Sequence, residues 1–155
     1  MKSHAAVTWT GNLKEGKGQI SSGSGVLQNI SYSAAKRFEG EPGTNPEELI
    51  AAAHAGCFTM AVAAEFSKKF TVKKIETSAT VTLEKQADGY QIVSSHLDTD
   101  AEIDGVDEDE FQRMAEEVKV KCPVSRALNV TITLEARLKS SKTQTNTTSR
   151  ETRMT

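Results

Sequence analysis

Apolar positions change their period along the chain. Residues 6–9, 18–21 and 26–30 form short β-prone runs separated by Gly11-Asn12, Glu15-Gly16 and Ser22-Gly23-Ser24-Gly25, which predicts a meander of three short strands. The period then lengthens. Thr44-Asn45-Pro46-Glu47-Glu48 offers a capping Asn45, a proline at the first helical position and two acids in the first turn, the strongest helix start in the chain. The apolar run 49–64 carries this helix on to about Lys68 or Lys69, whose charges suit its C-terminal end. At 100° per residue, Cys57 shares a face with Ile50, Ala53, Ala61 and Ala64, while Phe58, Val62 and Phe66 lie opposite; a helix apolar almost all round is expected to be buried. Val72, Ile75, Val81 and Leu83, then Tyr90, Ile92, Val93, Leu97 and Ile103, flank Asp88-Gly89 and predict a long hairpin. Residues 107–121 repeat the helical pattern, with acids first, lysines last and Phe111, Met114, Ala115 and Val118 on one face. Pro123 closes that helix, residues 124–128 suit one further turn, and residues 129–138 alternate as a half-buried strand.

These elements predict an α+β domain over residues 1–139. From Ser140 to Thr155 only Met154 is strongly apolar, so residues 140–155 are expected to be a disordered tail. A chain of 155 residues, 37% of them hydrophobic, fills one ordinary core. No internal repeat is apparent.

The net charge of −2 with interspersed signs gives no reason to expect nucleic acid or an anionic membrane as a partner. The run 49–64 contains His54 and is mostly alanine, and a spanning helix wants roughly 20 strongly apolar residues, so no membrane span is expected. Met1-Lys2-Ser3-His4 leads into polar sequence, which argues against a secretory signal and for the cytoplasm. In that compartment the two cysteines are expected as free thiols or as a pair that joins transiently, and the Asn-x-Ser/Thr tripeptides at Asn29, Asn129 and Asn146 carry no glycan.

Both thiols lie beside helix signals. Taken alone, Cys57 reads as a small buried hydrophobe. His54, one turn earlier, is either a satisfied core histidine or a hydrogen-bond partner of the thiol. Cys122 opens Cys122-Pro123-Val124-Ser125 at a helix start, where backbone N–H groups lower a thiol pKa. Arg37 and the pair Glu47-Glu48 flank the segment and have plain readings as surface charge and helix-start acids. Two distant cysteines and three scattered histidines match no zinc spacing.

The segment running from Arg37-Phe38-Glu39-Gly40-Glu41 through Thr44-Asn45-Pro46-Glu47-Glu48 to His54-Ala55-Gly56-Cys57-Phe58, with Lys121-Cys122-Pro123-Val124-Ser125 and the early Trp9-Thr10-Gly11-Asn12, closely resembles the OsmC-type hydroperoxide peroxidases. It is more similar to the OsmC branch than to the organic-hydroperoxide-resistance branch. The resemblance implies antiparallel sheets around long central helices in an intertwined homodimer, with the active site at the subunit interface. It implies Cys57 as the peroxide-reacting cysteine, Cys122 as the resolving cysteine, Arg37 as the activating arginine and Glu47 as its carboxylate partner, Glu48 being the alternative. It also implies an organic hydroperoxide substrate, a dithiol reductant with a lipoylated protein among the candidates, and no cofactor. Rival expectations are a non-enzymatic thiol redox sensor or stress-response binding protein, and a thiol hydrolase built on Cys57 and His54. An apolar surround of Phe38, Phe58 and Met60 would favour alkyl over hydrogen peroxide.

Overall fold

The computed structural model describes residues 1–139; the tail expected at 140–155 lies outside them. The chain runs β1 (Ala5–Thr10), β2 (Lys17–Ser22), β3 (Ile30–Tyr32), α1 (Ala34–Phe38), α2 (Pro46–Phe66), β4 (Thr71–Gln86), β5 (Gly89–Asp104), α3 (Glu108–Lys121), α4 (Pro123–Ala127) and β6 (Thr131–Leu138). Two three-stranded sheets result, ordered β1-β2-β3 and β4-β5-β6.

The first sheet is the expected antiparallel meander, but its third strand is displaced. Residues 26–29 form a loop because Ser22 accepts the N–H of Leu27 on its hydroxyl and donates its own N–H to the Leu27 carbonyl. Asn29 then takes a left-handed turn at φ 51°, a conformation that asparagine tolerates, and pairing begins at Ile30 opposite Ile20. The following helix, α1, lies outside the expected elements; Ser33 caps it by accepting the N–H of Lys36 at 3.2 Å.

The second sheet is mixed. β4 and β5 form the long antiparallel hairpin, joined where Gln86 faces Gly89 at φ 136°. β6 lies parallel to β5, with Leu97 opposite Leu134, so the antiparallel expectation holds for the hairpin and not for the last strand. α3 and α4 make the crossover that a parallel neighbour requires. The inward phase of β5 is Ser95, Leu97, Thr99, Ala101 and Ile103, all buried.

Helix α2 starts as its sequence demands: Asn45 accepts the Glu48 N–H at 2.8 Å and Pro46 occupies the first turn. Phe58, Val62 and Phe66, four residues apart, pack with Leu97 and Ala101 of β5 and with Phe111, Met114, Ala115 and Val118 of α3. The Phe66 and Phe111 rings lie 5.6 Å apart, tilted, a favourable aromatic arrangement. Asp107 caps α3 by accepting the N–H of Glu110. Burial of α2 is nevertheless one-sided. Ala52, Ala53, Gly56, Met60 and Ala64 are exposed, so the chain alone does not cover the helix expected to be buried all round. By length and composition alone α2 meets the measure of a helix apolar enough to cross a membrane, a measure that the core helix of a soluble protein also meets.

Candidate active site

Cys57 faces the sheet-and-helix core from the middle of α2, and Cys122 sits at the joint where α3 ends and α4 begins. The structure brings them together: the sulfurs are 3.1 Å apart, and both are free thiols. A disulfide sulfur pair stands at about 2.05 Å, so closing the gap requires a movement of about 1 Å. Cys57 is partly exposed and Cys122 fully buried. One thiol of the pair can meet a reagent from outside and the other can meet only its neighbour.

The environments of the two sulfurs differ. Burial pushes the Cys57 thiol up; a hydrogen bond from the Val124 N–H opposes this, and the adjacent Cys122 pushes it up further. Burial also opposes ionisation of Cys122, but the backbone N–H of Ser125, the Cys57 thiol, the Ser125 hydroxyl and the Val124 N–H outweigh it and bring Cys122 below the ordinary thiol value. Hydrogen bonds to the charged form favour that form. Within the described residues no cation acts on Cys57.

The expected cation lies elsewhere on the chain. Arg37, on α1, grips Glu47 at the start of α2 through two bonds, Nε to Oε2 at 3.2 Å and Nη2 to Oε1 at 2.6 Å. Glu47 is buried and the arginine about a third exposed. Glu48 instead accepts a bond from the Thr44 hydroxyl at 2.9 Å and faces solvent, so Glu47 is the arginine's partner. Helix α2 runs unbroken from Glu47 to Cys57, and ten residues at 1.5 Å each separate them by about 15 Å along its axis. Thus the four candidate residues form two pairs in one chain, thiol with thiol and arginine with carboxylate, and the pairs are apart.

His54 does not bond the thiol. It is fully buried, with Nδ1 2.7 Å from the Ser95 hydroxyl and Nε2 2.8 Å from the Ser125 hydroxyl, and burial lowers its pKa. A hydrolase in which His54 acts as the base of Cys57 therefore lacks its first contact. Ser95 and Ser125 are site residues that the sequence reading does not single out. A polar residue in the inward phase of a buried strand, and a hydroxyl three residues after a helix-start cysteine, are the signals that mark them.

Phe58 faces the core and not the thiol's open side. Phe38 and Met60 are exposed; Phe38 stacks on Tyr90 at 4.7 Å and lies under the Arg37 guanidinium at 5.1 Å. On the outer face of the second sheet His96, Asp98 and Glu135 bring ligand-type atoms within 4.8 Å of one another, but Arg137 already pairs with both carboxylates. That group serves as a cross-strand ion network.

Residues 38–136 match the family described as OsmC-like protein. Over 133 residues the chain is 44% identical to Peroxiredoxin OsmC of Escherichia coli (strain K12), covering 85% of this chain and 93% of that one. Among solved structures, the organic hydroperoxide resistance protein OhrB of Bacillus subtilis aligns with a TM-score of 0.63 at 28% identity, over 88% of this chain and 98% of that one. An OsmC-like protein from Vibrio cholerae aligns with a TM-score of 0.70 at 17% identity, over 88% and 99%.

Proposed function

Because the chain belongs to the OsmC family, we propose that it is a thiol-dependent peroxidase that reduces organic hydroperoxides to alcohols by a two-cysteine cycle. The observation that carries this reading is the 3.1 Å approach of a partly open Cys57 to a buried Cys122.

The Cys57 thiolate attacks one peroxide oxygen, the O–O bond breaks, and the leaving alkoxide takes a proton to become the alcohol. Cys57 is left as a sulfenic acid. The Cys122 sulfur attacks the Cys57 sulfur, expelling the hydroxyl as water and leaving a disulfide. A dithiol reductant takes up the oxidising equivalents and returns both thiols. A lipoylated protein is one such dithiol, and a reducing cytoplasm keeps the thiols ready between turnovers.

Only a thiolate reacts well with peroxide, and the chain alone pushes Cys57 the wrong way. A cation from a second copy supplies what is missing. The functional unit is a homodimer in which two α2 helices pack through the exposed small residues Ala52, Ala53, Gly56 and Ala64. Each site then combines Cys57 and Cys122 of one subunit with Arg37 and Glu47 of the other. Glu47 fixes the guanidinium in a two-bond geometry that lysine does not reproduce. Support comes from the 15 Å offset argued above and from the uncovered face of α2. Phe38, stacked beside Arg37, travels with it and offers an apolar wall to the alkyl group.

The experiment is steady-state consumption of cumene hydroperoxide with thioredoxin, glutathione and a lipoyl dithiol as parallel reductants. Turnover with a dithiol is expected. Loss of no more than one equivalent of peroxide per chain with every reductant would replace the enzyme with a redox sensor.

A further inference from the structure

The long hairpin reaches α1 at its tip. Pairing with β6 begins at Ser94, and on the turn side of that residue β4 and β5 continue as a two-stranded arm whose residues 84–91 are all exposed. Two strands alone are only marginally stable in water, so such an arm adds little to the core. Near its tip the Tyr90 ring stacks on Phe38 of α1, 4.7 Å between centroids and tilted by 31°, and the Arg37 guanidinium lies over the same Phe38 ring at 5.1 Å. Every residue of α1 is at least partly exposed, so the helix is set by its side-chain contacts. Its polar contacts run to near neighbours in sequence: Ser33 caps it, Lys36 donates to the Ser31 carbonyl at 3.2 Å and Arg37 grips Glu47. The stack of Phe38 on Tyr90 ties α1 across to the second sheet.

We propose that Tyr90 is a positioning residue for the activating arginine: through Phe38 it holds α1, and with it the Arg37 guanidinium, in the place from which the second copy's thiol receives its cation. This rests on the reading of Arg37 as the activator of Cys57 across the dimer. Glu47 takes the guanidinium by two of its N–H groups, and Phe38 offers the electron-rich face of its ring. Glu47 thereby restrains the end of the arginine side chain but not the helix that carries it. The link from α1 to α2 passes through Gly40 at φ 76° and Gly43 at φ 149°, conformations open to glycine that fix the helix little by themselves. The aromatic pair supplies the missing restraint.

A positioning role of this kind acts on one step of the cycle. In its own chain Cys57 has Cys122 as its titratable neighbour, and burial pushes its thiol up. The arginine from the second copy favours the thiolate only while it stays close, because attraction between charges falls with distance and with screening by solvent. Loosening α1 therefore slows the attack on peroxide. It leaves the second step alone, since Cys57 and Cys122 of one chain meet at 3.1 Å through α2 and the α3–α4 joint. The ring makes the stack, so phenylalanine serves at position 90 as well as tyrosine.

The test measures Cys57 alkylation against pH in the full-length wild type, Tyr90→Ala, Tyr90→Phe, Arg37→Met and the double variant Tyr90→Ala with Arg37→Met. In the same proteins, dimedone and an alkylating reagent follow sulfenic acid and free thiols after one equivalent of cumene hydroperoxide. Tyr90 is 55% exposed, so its truncation leaves the core filled. Tyr90→Ala should raise the alkylation midpoint towards that of Arg37→Met and slow the loss of reduced Cys57 about threefold, while the sulfenic acid closes to the disulfide at its wild-type rate. Tyr90→Phe should restore the wild-type midpoint. In the double variant the midpoint should stand where Arg37→Met alone puts it, because the ring acts through the arginine. A wild-type midpoint in Tyr90→Ala beside a raised one in Arg37→Met, additive shifts in the double variant, equal slowing of both steps, or Tyr90→Phe behaving as alanine would overturn the positioning role. An unchanged midpoint in Arg37→Met would instead overturn the reading of the arginine on which that role stands.

Discussion

Glu47 and Cys57 share one unbroken helix, yet Glu47 holds Arg37 at its first turn while Cys57 meets Cys122 nearly three turns further on. In one chain the charge and the thiol are therefore kept apart, and the arrangement makes sense for a pair of chains.

Arg37→Met should slow the reaction of Cys57 with peroxide by about tenfold or more at neutral pH, through loss of the cation that favours the thiolate. Glu47→Gln should do less. The check is the pH dependence of Cys57 alkylation, whose midpoint should rise in Arg37→Met; an unchanged midpoint would remove the arginine from the site. Mixed dimers of Cys57→Ser and Arg37→Met chains should recover about half the wild-type activity, since one of the two sites then keeps both residues. Heterodimers as inactive as both parents would return the arginine to its own chain's thiol.

The cysteines should fail in different ways. Cys57→Ser should consume no peroxide. Cys122→Ser should react once per chain and stop at a sulfenic acid that dimedone traps and excess peroxide over-oxidises. Sustained turnover in Cys122→Ser with a dithiol would show that resolution does not need the second cysteine.

Most of the fold is legible because the two long helices carry their own start signals: Asn45-Pro46-Glu47 and Asp107-Glu108 cap and charge the first turns of α2 and α3 as local chemistry requires. Less legible were features fixed at a distance. The parallel setting of β6 depends on how α3 and α4 cross over, and alternation at Ile132, Leu134 and Ala136 is the same for either strand direction. Residues 26–29 have β-prone composition, but the Ser22 hydroxyl captures Leu27 and holds them as a loop. At the site, the roles expected of Cys57, Cys122, Arg37 and Glu47 come from the resemblance and not from local pattern. The seating of His54 between Ser95 and Ser125 is a meeting of three segments that no local pattern announces.

His54 should leave a mark on stability. Burial holds it below its ordinary value of 6.5, so the unfolded chain binds a proton there that the folded chain resists. The stability it contributes is fully present above pH 6.5 and is lost as pH falls below it towards the folded-state value. The melting temperature of the wild type should therefore fall more between about pH 7 and about pH 5.5 than that of His54→Gln. Parallel curves would mean that His54 titrates alike in both states.

Substrate choice should follow apolar area. Burying a carbon chain beside Phe38 and Met60 adds about 0.8 kcal/mol per methylene, so second-order rates should be higher for cumene hydroperoxide than for hydrogen peroxide. Phe38→Ala should narrow the difference. Equal rates for the two peroxides in the wild type would remove the apolar wall from the account.

The central claim is that Cys57 and Cys122 exchange two electrons with a hydroperoxide, and intact-mass measurement after one equivalent reads it without any reductant. The fully reduced protein should lose the mass of two hydrogens, and both thiols should become closed to alkylation until a dithiol is added. Both thiols remaining open to alkylation, with no change in mass while the peroxide is consumed, would contradict the two-cysteine cycle.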